Sequence, residues 1–148
     1  MLDAALKDLL TQNRPLTIGI DADGVLLHYN LSYGKVWAKA FGATPVIQEE
    51  NAYHAQTFWG VETPPSGHKF WGIFDREGWK SMDPMPGALE ACLMLKEAGH
   101  RLICITSMPK HKREDRLKNL QNLGFPIDDV LAVGHSRTKD KNPKKRGY

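Results

Sequence analysis

The sequence predicts an α/β fold built on a parallel, Rossmann-like sheet, and two observations carry that prediction. Three short apolar runs, at residues 16–20, 101–106 and 130–133, read as buried strands. Apolar residues before and between them recur at helical spacing. Strands that alternate with helices favour parallel pairing with right-handed crossovers.

The elements follow in order. Leu2, Leu6, Leu9 and Leu10 mark a short amphipathic helix that Asn13-Arg14-Pro15 stops. Leu16-Thr17-Ile18-Gly19-Ile20 is the first strand. Tyr33, Val36, Trp37, Ala40 and Phe41 then mark a second helix, ended by Gly42. Residues 43–83 are broken by prolines and glycines and are dense in aromatics: Tyr53, Phe58, Trp59, Phe70, Trp71, Phe74 and Trp79. They predict a small, irregular, mostly helical subdomain. Leu89, Cys92, Leu93 and Lys96 form one helical stripe closed by Gly99. After the second strand, a polar helix over 112–123 turns Leu117, Leu120 and Leu123 inward, and Gly124 and Pro126 end it. The third strand follows. There are no internal repeats.

Composition bounds the function. The 148 residues make one domain with a real core and room for a small insertion. The apolar runs are too short to span a membrane, and Asp3 and Asp8 argue against a secretory signal. Cys92 and Cys104 lie within apolar patterns without metal-ligand spacing, so they read as reduced core residues of a cytoplasmic protein. The net charge is +3, but six basic residues and one acid stand between Arg137 and Tyr148, which leaves −2 on the rest. A basic tail fits nucleic acid, a solvated terminus or an anionic-substrate site. With only Tyr148 available for stacking, nucleic acid is not the expected partner.

The chemistry concentrates at Asp21-Ala22-Asp23-Gly24-Val25-Leu26, directly after the first strand. Open α/β sheets place ligands at the carboxyl ends of their strands. On an extended chain residues 21 and 23 point to the same side, and Gly24 lets the backbone turn away. Two such carboxylates suit a hard cation and a phosphate. A calcium loop starting at Asp21 would need Gly at 26 and Glu at 32, whereas the chain has Leu26 and Ser32. The second strand ends in Thr106-Ser107, where a hydroxyl and the next helix's amides can meet phosphate oxygens. A turn or cap hydroxyl would look the same.

The DxDGV turn after an apolar strand resembles motif I of the haloacid dehalogenase superfamily of phosphohydrolases, and strand-Thr-Ser resembles its motif II. Residues 74–89 and 103–107 are similar to the corresponding stretches of 5′(3′)-deoxyribonucleotidases. The resemblance spans most of the chain, but only its short motifs are specific. It implies a three-layer, haloacid dehalogenase-like core over residues 1–29 and 84–148, with a cap inserted over 30–83. It implies Asp21 as the nucleophile that forms an aspartyl-phosphate. Asp23 becomes the general acid/base, with Mg²⁺ held by Asp21 and the Asp23 carbonyl. Thr106 becomes the phosphate ligand, with Gly24 and Ser107 beside it. Lys141, or after it Lys139, becomes the lysine that neutralises phosphate and nucleophile. Trp59, Phe70, Trp71, Phe74 and Trp79 are the candidate lining of a cap pocket suited to a nucleobase, though core packing explains each of them singly.

The chain departs from the family at its end. After Lys141 come only Asn142-Pro143-Lys144-Lys145-Arg146-Gly147-Tyr148, with no acid to complete a Mg²⁺ site. A shortened phosphatase, a site completed by another acid such as Asp140, and a non-catalytic relative all fit. A second alignment reads 133–140 as the last motif, with His135 in place of an acid. The leading expectation is a Mg²⁺-dependent phosphohydrolase acting on a small phosphomonoester, a nucleoside monophosphate being one candidate. Its alternative is a non-catalytic binding or regulatory module. An incomplete sheet edge also offers a route to a homo-oligomer.

Overall fold

A computed structural model of the chain describes residues 3–11 and 14–134. Lys139, Lys141, His135 and Asp140 lie outside the described residues, as does the rest of the basic tail. The sheet has three parallel strands, β1 (Thr17–Ile20), β2 (Arg101–Thr106) and β3 (Asp129–Ala132), in the order β1-β2-β3. Ile20 pairs with Cys104, and Thr106 with Ala132. Leu102, Cys104 and Thr106 on one face of β2 are buried, and Ile103 and Ile105 on the other are half-buried. The expected α/β class and parallel sheet are therefore present.

Six α-helices accompany the strands among the described residues: α1 (Ala4–Thr11), α2 (Tyr29–Phe41), α3 (Ala55–Trp59), α4 (Lys69–Glu77), α5 (Ala88–Glu97) and α6 (Arg113–Asn122). None is long and apolar enough to cross a membrane. Helix α5 packs on β2, and α6 on β3. The buried residues of α5 are Cys92 and Leu95, while the predicted stripe member Leu93 is 47% exposed. Ala88, Leu89, Cys92 and Leu95 follow the sheet at helical spacing, and Leu93 falls to one side of that line. Both cysteines are buried as free thiols, and burial pushes the Cys92 thiol up to about 11, so it stays protonated and inert.

His100, buried just before β2, ties α1 to the sheet. Its Nδ1 accepts from the Leu16 N–H at 3.1 Å, and its Nε2 lies 2.6 Å from the Leu9 carbonyl. That pattern requires the neutral tautomer with the proton on Nε2.

Everything between Leu27 and Pro84 enters and leaves the sheet region at one place. Leu27 bridges Asp23 on one side and, antiparallel, Pro84 on the other. The His28 N–H donates to the Asp83 carbonyl at 2.8 Å, and the Met85 N–H to the Leu26 carbonyl at 2.9 Å. The excursion holds α2, α3, α4 and a 3-10 turn (Gly78–Lys80). Its core is aromatic: Tyr33 packs on Phe70 at 4.7 Å between ring centres, and Phe74 on Trp79 at 4.9 Å.

Gly34 lets α2 lie against Trp59. A Cβ there would fall 2.3 Å from Trp59 Cζ2. The ring cannot swing away cheaply, because its Nε1 donates to the Asn30 carbonyl at 2.7 Å. Gly34→Ala is therefore expected to destabilise the fold by about 1–2 kcal/mol, overpacking outweighing alanine's better helix propensity. Urea unfolding checks this; an unchanged or higher midpoint would show that the ring yields.

Candidate active site

Motif I leaves β1 as a tight turn organised by one carbonyl. The Ala22 oxygen accepts from the N–H groups of Val25, Leu26 and Leu27 at 3.1, 2.9 and 2.9 Å. Gly24 takes φ 75°, which a side chain would resist. Ala22 is fully buried, whereas Asp21 and Asp23 flank it half-buried and both line one cleft. Asp21 Oδ1 accepts from the Ala22 N–H at 2.7 Å.

Both carboxylates line a cleft of about 1330 Å³ between the carboxyl end of the sheet and the helical excursion. Gly24 and Ser107 line it as well. Thr106 does not: it is fully buried, and its Oγ1 has no hydrogen-bond partner. Sheet alternation turns the Thr106 side chain into the core with Leu102 and Cys104, which leaves Ser107 on the cleft wall. Of the predicted site residues that are described, Asp21, Asp23, Gly24 and Ser107 thus meet at one cleft, with Thr106 directly behind it.

The opposite wall is aromatic. Trp71, Phe74 and Trp79 line it as predicted. Trp59 and Phe70 do not: they are 6% and 0% exposed and serve the packing of α2 against α3 and α4. Tyr29, Tyr53 and Phe58 take part instead. Tyr53 is 71% exposed, yet its ring would be 3.6 Å from a Cβ at Gly24, so it stands beside the motif I turn. Partial burial raises its phenol pKa, as do the charges of Asp21 and Asp23. The Tyr29 hydroxyl is held protonated far above its ordinary value, by burial first and then by the Asp23 charge. Deeper in the cleft wall, Asn30 Oδ1 and the Tyr33 hydroxyl are buried without hydrogen-bond partners. Burial lowers the pKa of His28, whose Nδ1 accepts from the Leu31 N–H at 3.3 Å and caps α2.

The rim is bridged by charge. Asp75 on α4 lies 3.6 Å from both His111 Nε2 and Lys112 Nζ, which follow β2. Beneath the cleft, Arg116 of α6 donates from Nη2 to Asp23 Oδ1 at 2.9 Å. It is an arginine that sequence reasoning missed, within a polar helix of which only the leucines read as inward.

The described residues partly fit a divalent cation. Asp21 and Asp23 offer hard oxygen donors at the strand end, but no group of three or more His, Cys, Asp or Glu among the described residues is placed to hold a metal. Magnesium commonly takes only one or two protein carboxylates and completes its shell with substrate phosphate and water.

No protein-family model and no curated protein matches the chain. Solved structures do. The class C acid phosphatase from Bacillus anthracis with tungstate bound superposes with a TM-score of 0.50 at 14% identity, over 87% of this chain and 44% of that one. A hydrolase from Streptococcus pneumoniae TIGR4 superposes with a TM-score of 0.45 at 14% identity, over 82% of this chain and 68% of that one. The chain thus spans less than half the length of the acid phosphatase. Its Rossmann-like α/β fold, with three parallel strands and flanking helices, is shared with that acid phosphatase.

Proposed function

We propose that the chain is a Mg²⁺-dependent phosphomonoesterase working through an aspartyl-phosphate at Asp21. The observation that carries this reading is the pair of carboxylates, Asp21 and Asp23, on one side of a strand-end turn that opens into a large cleft. Asp21 attacks phosphorus and the bond to the leaving oxygen breaks. Asp23, protonated on the oxygen that Arg116 does not hold as the anionic substrate binds, gives that proton to the leaving oxygen, then takes one from the water that hydrolyses the acyl phosphate. The Ser107 hydroxyl meets the phosphoryl oxygens. The Thr106 hydroxyl, implied as a phosphate ligand by the resemblance, is buried behind the cleft wall without a hydrogen-bond partner among the described residues, and it would have to turn toward the cleft to reach a phosphoryl oxygen. Mg²⁺ held by Asp21 and the Asp23 carbonyl would neutralise the charge that gathers as two anions meet. Lys141 or Lys139 would add a further positive charge.

Residues 30–83 act in this reading as the cap over the core. The Asp75–Lys112 contact is one point where cap and core meet. The substrate is a small phosphorylated metabolite. A nucleoside monophosphate is favoured by the aromatic wall of Trp71, Phe74 and Trp79, and by the orphaned polar atoms of Asn30 and Tyr33 that a base edge would suit. The protein would act in the cytoplasm, alone or as a homo-oligomer, on a small metabolite rather than on nucleic acid or at a membrane.

One observation favours a second reading, that of a non-catalytic binding module: no third acid joins Asp21 and Asp23 among the described residues. Phosphate release from an aryl phosphate and a panel of nucleoside monophosphates, with Mg²⁺ and with chelator, separates the two. Metal-dependent release is expected. A folded protein that binds a nucleoside monophosphate but releases nothing from any member of the panel would establish the second reading.

A further inference from the structure

Arg116 is the largest fully buried side chain among the described residues, and it lies on the face of α6 that carries Leu120 one turn on, a core position that an arginine does not announce. Its Nη2 donates to Asp23 Oδ1 at 2.9 Å. Its Nε and Nη1 have no hydrogen-bond partner. Its guanidinium carbon lies 5.3 Å from the centre of the Trp79 ring. A buried cation without a counter-ion is strongly unfavourable, and among the described residues Asp23 is the one acid that Arg116 pairs with. Trp79 in turn leans on Phe74 and Tyr29 at 4.9 and 6.1 Å, so the arginine is clasped between the motif I turn and the aromatic wall.

We infer that Arg116 is a positioning residue for Asp23, fixing one oxygen of that carboxylate so that the side chain is aimed at the leaving group. The inference rests on the phosphohydrolase reading. A single N–H, from Nη2, fixes Asp23 Oδ1, and the planar guanidinium that carries it is itself oriented on the Trp79 ring, as a freely rotating ammonium would not be. The stacking partner Trp79 and full burial remove the arginine's own freedom. Asp23, with its side chain 25% exposed, keeps access to the cleft while one of its oxygens is anchored beneath it.

A misaimed Asp23 harms one kind of substrate more than another. An alkyl phosphate expels a strongly basic alkoxide that needs a proton as the bond breaks. A 4-nitrophenyl phosphate expels a stable phenolate that does not. The measured quantity is therefore kcat/KM for glycerol phosphate and for 4-nitrophenyl phosphate, which covers the steps up to leaving-group departure and excludes hydrolysis of the acyl phosphate. Wild type, Arg116→Met, Arg116→Lys, Asp23→Asn and the Asp23→Asn/Arg116→Met double variant are compared, each with a circular-dichroism check of folding.

In Arg116→Met the ratio of alkyl to aryl kcat/KM is expected to fall by about 10-fold or more, short of the roughly 10²–10⁴-fold that loss of the general acid itself would cost. Arg116→Lys is expected to restore part of that ratio. In the Asp23→Asn background the arginine substitution should leave the ratio where Asp23→Asn alone put it. Equal losses on both substrates in the methionine and lysine variants would overturn the inference and leave Arg116 a packing residue, as would an unchanged ratio. If the methionine variant does not fold, the lysine variant decides, because it keeps the charge and loses the planar guanidinium that Trp79 orients. A wild type that hydrolyses neither substrate would sink the phosphohydrolase reading, and with it any role of Arg116 in aiming a catalytic acid. Turnover by the wild type with an unaltered ratio in the variants sinks the positioning inference alone.

Discussion

Asp21→Asn is expected to abolish phosphate release, lowering kcat by about 10⁴-fold or more, as removal of a covalent nucleophile does. The substitution is nearly isosteric, and an amide oxygen can still accept from the Ala22 N–H that Asp21 Oδ1 now engages at 2.7 Å. What it removes is the negative charge and the nucleophilic oxygen pair at the end of β1, together with the hard anionic donor a Mg²⁺ ion would prefer. Loss of activity alone would not separate nucleophile from metal ligand. The intermediate does. An acyl phosphate survives an acid quench and is cleaved by hydroxylamine. Wild type incubated briefly with a ³²P-labelled phosphomonoester and quenched should carry label on the peptide containing residue 21, and the variant should carry none. Turnover of Asp21→Asn at the wild-type rate would remove Asp21 from the mechanism, and label at another residue would reassign the nucleophile.

The parts of this molecule that are legible in sequence are those whose signal is local. The strands are apolar runs bounded by glycine and proline, and their positions agree with the structure to within a residue or so. The motif I turn is legible because alternation along an extended chain needs only three residues to place two carboxylates together. The legibility fails where a partner lies far away. Arg116 and Asp23 are separated by 93 positions, and although Leu120 and Leu123 mark the face that Arg116 shares, nothing local names the acid that would let an arginine be buried there. His100, bonded to Leu9 and Leu16 across the domain, is equally silent. Helix α2 begins at Tyr29 rather than near Tyr33, because the His28 side chain caps it, and histidine is not a residue that announces a cap. Among the aromatics, composition alone cannot say which ring faces the cleft. Trp59 and Phe70 went to packing because Gly34 opens a slot for one and Tyr33 covers the other.

Asp23→Ala is expected to destabilise the fold by about 3–5 kcal/mol, the usual cost of removing one partner from a buried ion pair. For a chain of this size the midpoint of thermal unfolding should drop by roughly 10 °C. The reason lies in the arginine rather than in the aspartate. Arg116 is fully buried and already has two nitrogens without hydrogen bonds, so its bond to Asp23 Oδ1 is what compensates the burial of its charge. Without it the cation keeps only the face of Trp79. Asp23→Asn should lose less, since an amide oxygen can still accept from Nη2 although the charge is gone. Adding Arg116→Met to Asp23→Ala should recover much of the loss, because a long apolar chain then fills the space with no charge left to solvate. An Asp23→Ala protein within about 0.5 kcal/mol of wild type, the range of an ordinary surface substitution, would show that the pair contributes nothing in solution. The expected outcome has a consequence for reading kinetics at this turn: an alanine at position 23 loses activity through the fold as well as the chemistry, whereas asparagine leaves more of the fold in place and so tests the proton-transfer role more directly.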